Sequence, residues 1–232
     1  MTQRSKNRLL VGVFLVAAGL AAVLIAVSVT GAKDEPPPAA HGSLETEALF
    51  EGVRQRGNVL GRPGAPVTIV EYADLQCPYC AQWARDTLPA IVDEYVRAGK
   101  VRIVFEGVAI LGPESASALQ TVVSAGAQNK LWNMSELVFH NQGTENSGWV
   151  TDDLLRRSGN SVPGLDVDAM MDDRSSQEVA AAVADAQAAA QAAGVNVTPS
   201  FQIGKTGGEM TLVVGAQPTA DFRQILDSLL EP

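Results

Sequence analysis

The chain has 232 residues, 46% of them apolar and 19% charged, a composition that fits a folded globular protein of one medium domain with additions and excludes a disordered polymer. Three of its 17 basic side chains and none of its 26 acidic ones fall in the first 32 residues, so the remainder carries a formal balance of −12. That acidity excludes nucleic acid as a partner and argues against docking on anionic lipid.

Residues 9–29 form an uncharged apolar run of 21 residues. As a helix rising 1.5 Å per residue it would be roughly 31 Å long, about the hydrocarbon thickness of a bilayer. A cleavable signal has a shorter apolar region, of about 7–15 residues, and Thr30-Gly31-Ala32 is a weak cleavage site. The expectation is an uncleaved signal-anchor. Arg4, Lys6 and Arg8 before it place residues 1–8 in the cytoplasm as a short tail and everything after Thr30 outside. Residues 30–45, with Pro36, Pro37 and Pro38, read as a linker. The folded domain is then expected over residues 46–232, in an oxidising compartment.

In chain order, residues 44–55 read as a helix and Gly61-Arg62-Pro63-Gly64 as a turn. Residues 67–72 are a short β-branched run bounded by turn residues, the pattern of a buried strand. Residues 81–98 carry a helical apolar stripe interrupted at Pro89, and Gly99 ends it. Residues 101–105 form a second strand, completing a right-handed βαβ unit. Helical patterns follow at 115–130, 131–140, from 151 and from 168, and an alanine-rich helix runs over 178–193 to Gly194. Strands return at 200–203 and 211–214 across a glycine-rich hairpin, followed by a helix over 219–230. The order βαβ, helices, ββα predicts an α/β thioredoxin fold with a helical insert at about 113–193.

The only two cysteines lie where the first strand feeds its helix, as Cys77-Pro78-Tyr79-Cys80. A helix N-terminus lowers a thiol pKa through its unpaired N–H groups and dipole, and Cys77 sits just before the helix. Pro78 suits the first helical turn. Cys80 lies almost one turn inside, close to Cys77 and more sheltered. This spacing points to a redox dithiol in which Cys77 attacks and Cys80 resolves. A local staple would close too small a loop to stabilise much. A zinc site needs about four ligands, and only His41 and His140 could join the pair. Glu71 is an acid inside an otherwise apolar strand, either solvated at an edge or buried at a cost.

The run from Gly61 through Pro66-Val67-Thr68-Ile69-Val70-Glu71-Tyr72 to Asp74, Gln76 and the CPYC tetrapeptide resembles the DsbA-like branch of the thioredoxin superfamily. Its membrane-tethered forms in Gram-positive and actinobacterial envelopes are the nearest in pattern. The segment from Asn129 to Gln142 and the Gly194-Val195 to Thr198-Pro199-Ser200-Phe201 signature are similar to that branch as well. The resemblance implies Cys77 as nucleophile, Cys80 as resolving thiol and Glu71 as an acid that moves protons to the buried thiol. It makes Pro199 a cis-proline facing the sulfurs with Thr198 before it, where an extended substrate can add as a strand. Pro78 and Tyr79 complete the substrate contact, and Trp83 is either groove or core. The implied activity is oxidation of reduced exported proteins by a monomer with no cofactor, reoxidised by a membrane oxidase, quinone-linked or vitamin K epoxide reductase-like. A reductase or isomerase, and a non-catalytic chaperone or binding module with an inert disulfide, are the rival readings.

Overall fold

The computed structural model describes residues 38–231. The span expected at residues 9–29 and the tail before it lie outside these residues. Among the described residues no helix is long and apolar enough to cross a membrane.

The chain enters through helix α1 (Ser43–Phe50) and a small hairpin of β1 (Gln55–Arg56) and β2 (Val59–Leu60). Strand β3 (Val67–Ala73) leads into α2 (Pro78–Asp86), α3 (Leu88–Ile91) and a π-helical turn at Val92–Val96. Strand β4 (Val101–Gly107) follows. The insert comprises α4 (Pro113–Gly126), α5 (Leu131–His140), α6 (Asp152–Asn160), α7 (Val167–Asp173) and α8 (Gln177–Ala192). Strands β5 (Ser200–Lys205) and β6 (Met210–Val214) and helix α9 (Thr219–Leu230) close the chain.

The strands form one sheet in the order β1-β2-β4-β3-β5-β6. Strand β3 is central, parallel to β4 and antiparallel to β5, with Glu71 opposite Phe105 on one side and Phe201 on the other. Side chains alternate across a strand, so Val67, Ile69, Glu71 and Ala73 share one face with Ile103, Phe105, Phe201 and Ile203. That face carries most of the core. Trp83 of α2 packs on Phe201 and on Phe222 of α9, with ring centroids 4.7 and 5.8 Å apart. Trp132 of α5 meets Phe105 edge-on at 5.9 Å. On the opposite face Tyr72 and Val108 pack beneath Ala190 of α8, a thin layer that small alanines permit.

Three local expectations change. The helix expected to reach residue 55 ends at Phe50, because Gly52 takes a left-handed φ of 70° and the chain turns back. The β1–β2 hairpin occupies the rest, around the two-residue loop Gly57-Asn58, a turn dipeptide that favours such hairpins. The end of the expected linker is also part of the fold. Ala40 is buried and donates its N–H to Ser161 Oγ at 2.8 Å, while Asn141 pairs with both the N–H and the carbonyl of His41. The interruption of the long helix falls at Thr87, two residues before Pro89, which cannot donate a hydrogen bond to the preceding turn.

Candidate active site

Strand β3 ends at Ala73, and three residues carry the chain to Cys77, the N-cap of α2, with Pro78 at the first helical position. Asp74 builds this connection. Its buried carboxylate accepts hydrogen bonds from the Gln76 N–H (2.9 Å), the Ser115 hydroxyl (2.6 Å) and the Ile110 and Leu111 N–H groups (2.8 and 3.0 Å). Its carbonyl accepts from the Cys77 N–H at 3.0 Å. Gln142, just beyond α5, donates to the carbonyls of Leu75 and Cys77 at 2.9 and 3.1 Å. Gln76 and Asn146 exchange side-chain and backbone hydrogen bonds at 3.2 and 2.8 Å. The cysteine loop is therefore held by the insert on one side and the β4–α4 connection on the other.

Both cysteines are reduced here. Cys77 is 5% exposed and Cys80 is fully buried. The Cys77 thiol is lowered from 9.0 to about 6, first by a hydrogen bond from the Cys80 thiol, against the opposing effect of burial. The Thr198 hydroxyl and the backbone N–H groups of Cys80 and Tyr79 add to the lowering. The Thr198 carbonyl, 3.3 Å from Cys77 Sγ, accepts a hydrogen bond only from the protonated thiol and so works the other way. Cys80 is pushed well above its ordinary value by burial, then by its hydrogen bond and charge interaction with Cys77. The two sulfurs thus differ as a nucleophile and a held proton donor must.

Glu71 lies on the central strand, 1% exposed, with Oε1 making no hydrogen bond. Burial raises its carboxyl from 4.5 to about 8, and its charge in turn raises Cys80. The edge-position reading of Glu71 is thereby excluded. The Thr198–Pro199 peptide is cis, and Thr198 lies against Cys77. Tyr79 is 63% exposed beside the sulfurs. Trp83 is core, 1% exposed between Phe201 and Phe222.

The structure thus gathers Cys77, Cys80, Glu71, Thr198, Pro199, Pro78 and Tyr79 around one strand end. Sequence reasoning assigned no role to Asp74, Ser115, Gln142, Asn146 or the buried Glu136. Asp74 and Gln76 carried a signal, as polar residues between a buried strand and the cysteines. Ser115 and Asn146 are 41 and 70 residues away from their partners and carried none.

A dithiol capping a helix at the end of a central sheet strand, with one low and one high thiol, defines a thiol–disulfide oxidoreductase of thioredoxin fold. The family model described as thioredoxin matches residues 54–227. The chain belongs to the thioredoxin family and is a DsbA-like protein disulfide oxidoreductase. It is 29% identical over 147 residues to the probable disulfide bond formation protein D of Bacillus cereus, covering 62% of this chain and 68% of that one. The oxidised BdbD structure from Bacillus subtilis superposes with a TM-score of 0.68 at 22% identity, over 79% of this chain and 95% of that one. A thioredoxin-like oxidoreductase from Silicibacter pomeroyi DSS-3 gives 0.61 at 29% identity, over 78% and 95%.

Proposed function

We propose that the protein is a membrane-anchored oxidase that inserts disulfides into exported proteins on the outer side of the membrane. The observation that carries this reading is the split between the two thiols, with Cys77 lowered to about 6 and Cys80 raised by burial. A stabilised thiolate favours the reduced enzyme, so the oxidised enzyme tends to hand its disulfide on. A substrate thiolate attacks Cys77 Sγ, the Cys77–Cys80 bond breaks, and the departing Cys80 sulfur takes a proton. Glu71, largely protonated below about pH 8, supplies that proton. A second substrate thiolate then attacks the mixed disulfide at its own sulfur, leaving Cys77 as thiolate and the substrate oxidised. Thr198, Pro199, Pro78 and Tyr79 form the ground on which the substrate chain lies. The apolar run at residues 9–29 supports an anchor with the catalytic domain outside, and the partner that restores the disulfide is an integral membrane oxidase.

The test is trapping. Cys80→Ala leaves a mixed disulfide that the enzyme cannot resolve, so non-reducing electrophoresis after acid quenching should show adducts with exported proteins. Cys77→Ala should trap few, since its remaining thiol is buried. Equal trapping by both variants would show the assigned roles to be wrong, and trapping by neither would favour the binding-module reading.

A further inference from the structure

Cys80 has no exposed surface and Glu71 is 1% exposed. When a protein substrate covers Cys77, the mouth of the site closes, yet Glu71 must still regain the proton it gave to Cys80. A route to solvent on another side is therefore required, and the structure contains a second buried acid in the right place.

Glu136 lies on α5, one turn after Trp132 and on the same helix face. Trp132 packs on Phe105, the cross-strand neighbour of Glu71. The two acids thus lie on facing elements, the central strand and α5, and the Glu71 charge raises the Glu136 carboxyl. Glu136 is 2% exposed and makes no ion pair among the described residues. It lines a cavity of about 380 Å³ between α1, α2 and α5, together with Thr46, Ala48, Arg85 and His140. This volume accommodates a chain of waters; its walls are mainly apolar, and Glu136, Thr46, Arg85 and His140 are polar side chains along them that give the waters partners. The titratable and charged groups facing Glu136 are Glu71 from β3, Arg85 from α2, Glu45 from α1, Asp93 from the π-helical turn and His140 from α5 itself. Burial raises Glu136 most, and the Arg85 charge opposes that rise.

We propose that Glu136 and the cavity behind it form a back-door proton path that connects Glu71 to solvent on the α1–α5 face. The inference rests on the role of Glu71 stated above. In the oxidising direction Glu71 gives its proton to the departing Cys80 sulfur and is restored from solvent through Glu136. In the reverse step the Cys80 thiol gives its proton to the Glu71 carboxylate. The Cys80 thiolate then attacks Cys77 of a mixed disulfide, the partner leaves as a thiolate, and the proton exits through Glu136. Glu136 acts through Glu71 and does not touch the sulfurs.

The experiment follows glutathione release from the Cys77–glutathione mixed disulfide of the full-length chain in detergent, by stopped flow from pH 5 to 8. Glu136→Gln should slow release by about tenfold, less than the ~10²–10⁴ of a directly acting acid–base group. It should also flatten the pH profile, leave Cys77 alkylation unchanged, and be rescued by Glu136→Asp. Ala48→Trp plugs the cavity while keeping both carboxyls, and should slow release in the same way; it decides the matter if Glu136→Gln does not fold. Slow release in Glu71→Gln with wild-type release in Glu136→Gln would overturn the path and leave the Glu71 role intact. Wild-type release in Glu71→Gln would overturn that role, and the path with it.

Discussion

A single carboxyl illustrates how strongly position decides chemistry in this protein. Glu71 sits on the core face of the central strand between Phe105 and Phe201, and burial lifts it from 4.5 to about 8. The native chain therefore holds a proton that the unfolded chain releases once the pH passes 4.5. Stability from this group is complete below that value and falls as pH rises toward 8, beyond which no more is lost. Over that interval the loss is on the order of 5 kcal/mol. Glu71→Gln keeps the neutral shape and removes the titration. Urea unfolding of the disulfide form at pH 5 and pH 8, where Cys77 does not titrate, should show a markedly smaller loss in the variant than in the wild type, with Glu136 and Glu106, which burial also raises, contributing to the residual slope. An equal slope in both would mean that Glu71 is solvated in the native state.

At the scale of elements, the junction between β3 and α2 depends on one acid. Asp74 satisfies three backbone N–H groups and one hydroxyl in a fully buried position. Leaving such donors unpaired costs about 1–3 kcal/mol each. Asp74→Ala should lower unfolding free energy by about 3 kcal/mol or more, and Asp74→Asn, which keeps one acceptor oxygen, by less than half of that. Denaturant midpoints measure both, and equal losses would show that packing rather than hydrogen bonding holds the loop. This junction also marks the limit of what the sequence disclosed. The β-branched run at 67–72 and the CPYC pair after it were readable, because a buried strand and a helix start have local signatures. Helices α5 and α9 were readable too, the first over 131–140 and the second over 219–230. The β1–β2 hairpin was missed because its strands have two residues each, too few for any period to register. The hydrogen bonds from Ser115 and Asn146 join residues far apart in the chain, and no local pattern encodes them.

The whole molecule places its two faces under different demands. On one face of the sheet the large rings of Trp83, Trp132, Phe201 and Phe222 fill the space under α2, α5 and α9. Glu71 lies on this same face between Phe105 and Phe201, so the layer that supplies cohesion also buries the acid and sets its proton affinity. On the other face the alanines of α8 lie close to Tyr72 and Val108. The insert contributes to both, through α5 on the first face and α8 on the second. The β-branched run at 67–72 and the alanine-rich helix over 178–193 were legible in the sequence. The placement of α5 against Glu71 was not, since it depends on how the insert folds back over the sheet.

The thiolate at the start of α2 makes the durability of the whole fold depend on the electrons it holds. Lowering Cys77 to about 6 means that the native dithiol releases a proton the unfolded chain keeps until about 9. The reduced protein gains stability that is fully present above 9, and that gain is lost as pH falls through about 6. The disulfide form has no thiol to titrate and gains nothing. Melting both forms side by side should show the reduced protein's advantage shrinking between pH 8 and pH 5, and a constant difference would contradict the lowered thiol. The dithiol form thus carries a pH-dependent share of its durability that the disulfide form lacks, so the electrons on one sulfur are written into the heat resistance of the whole chain.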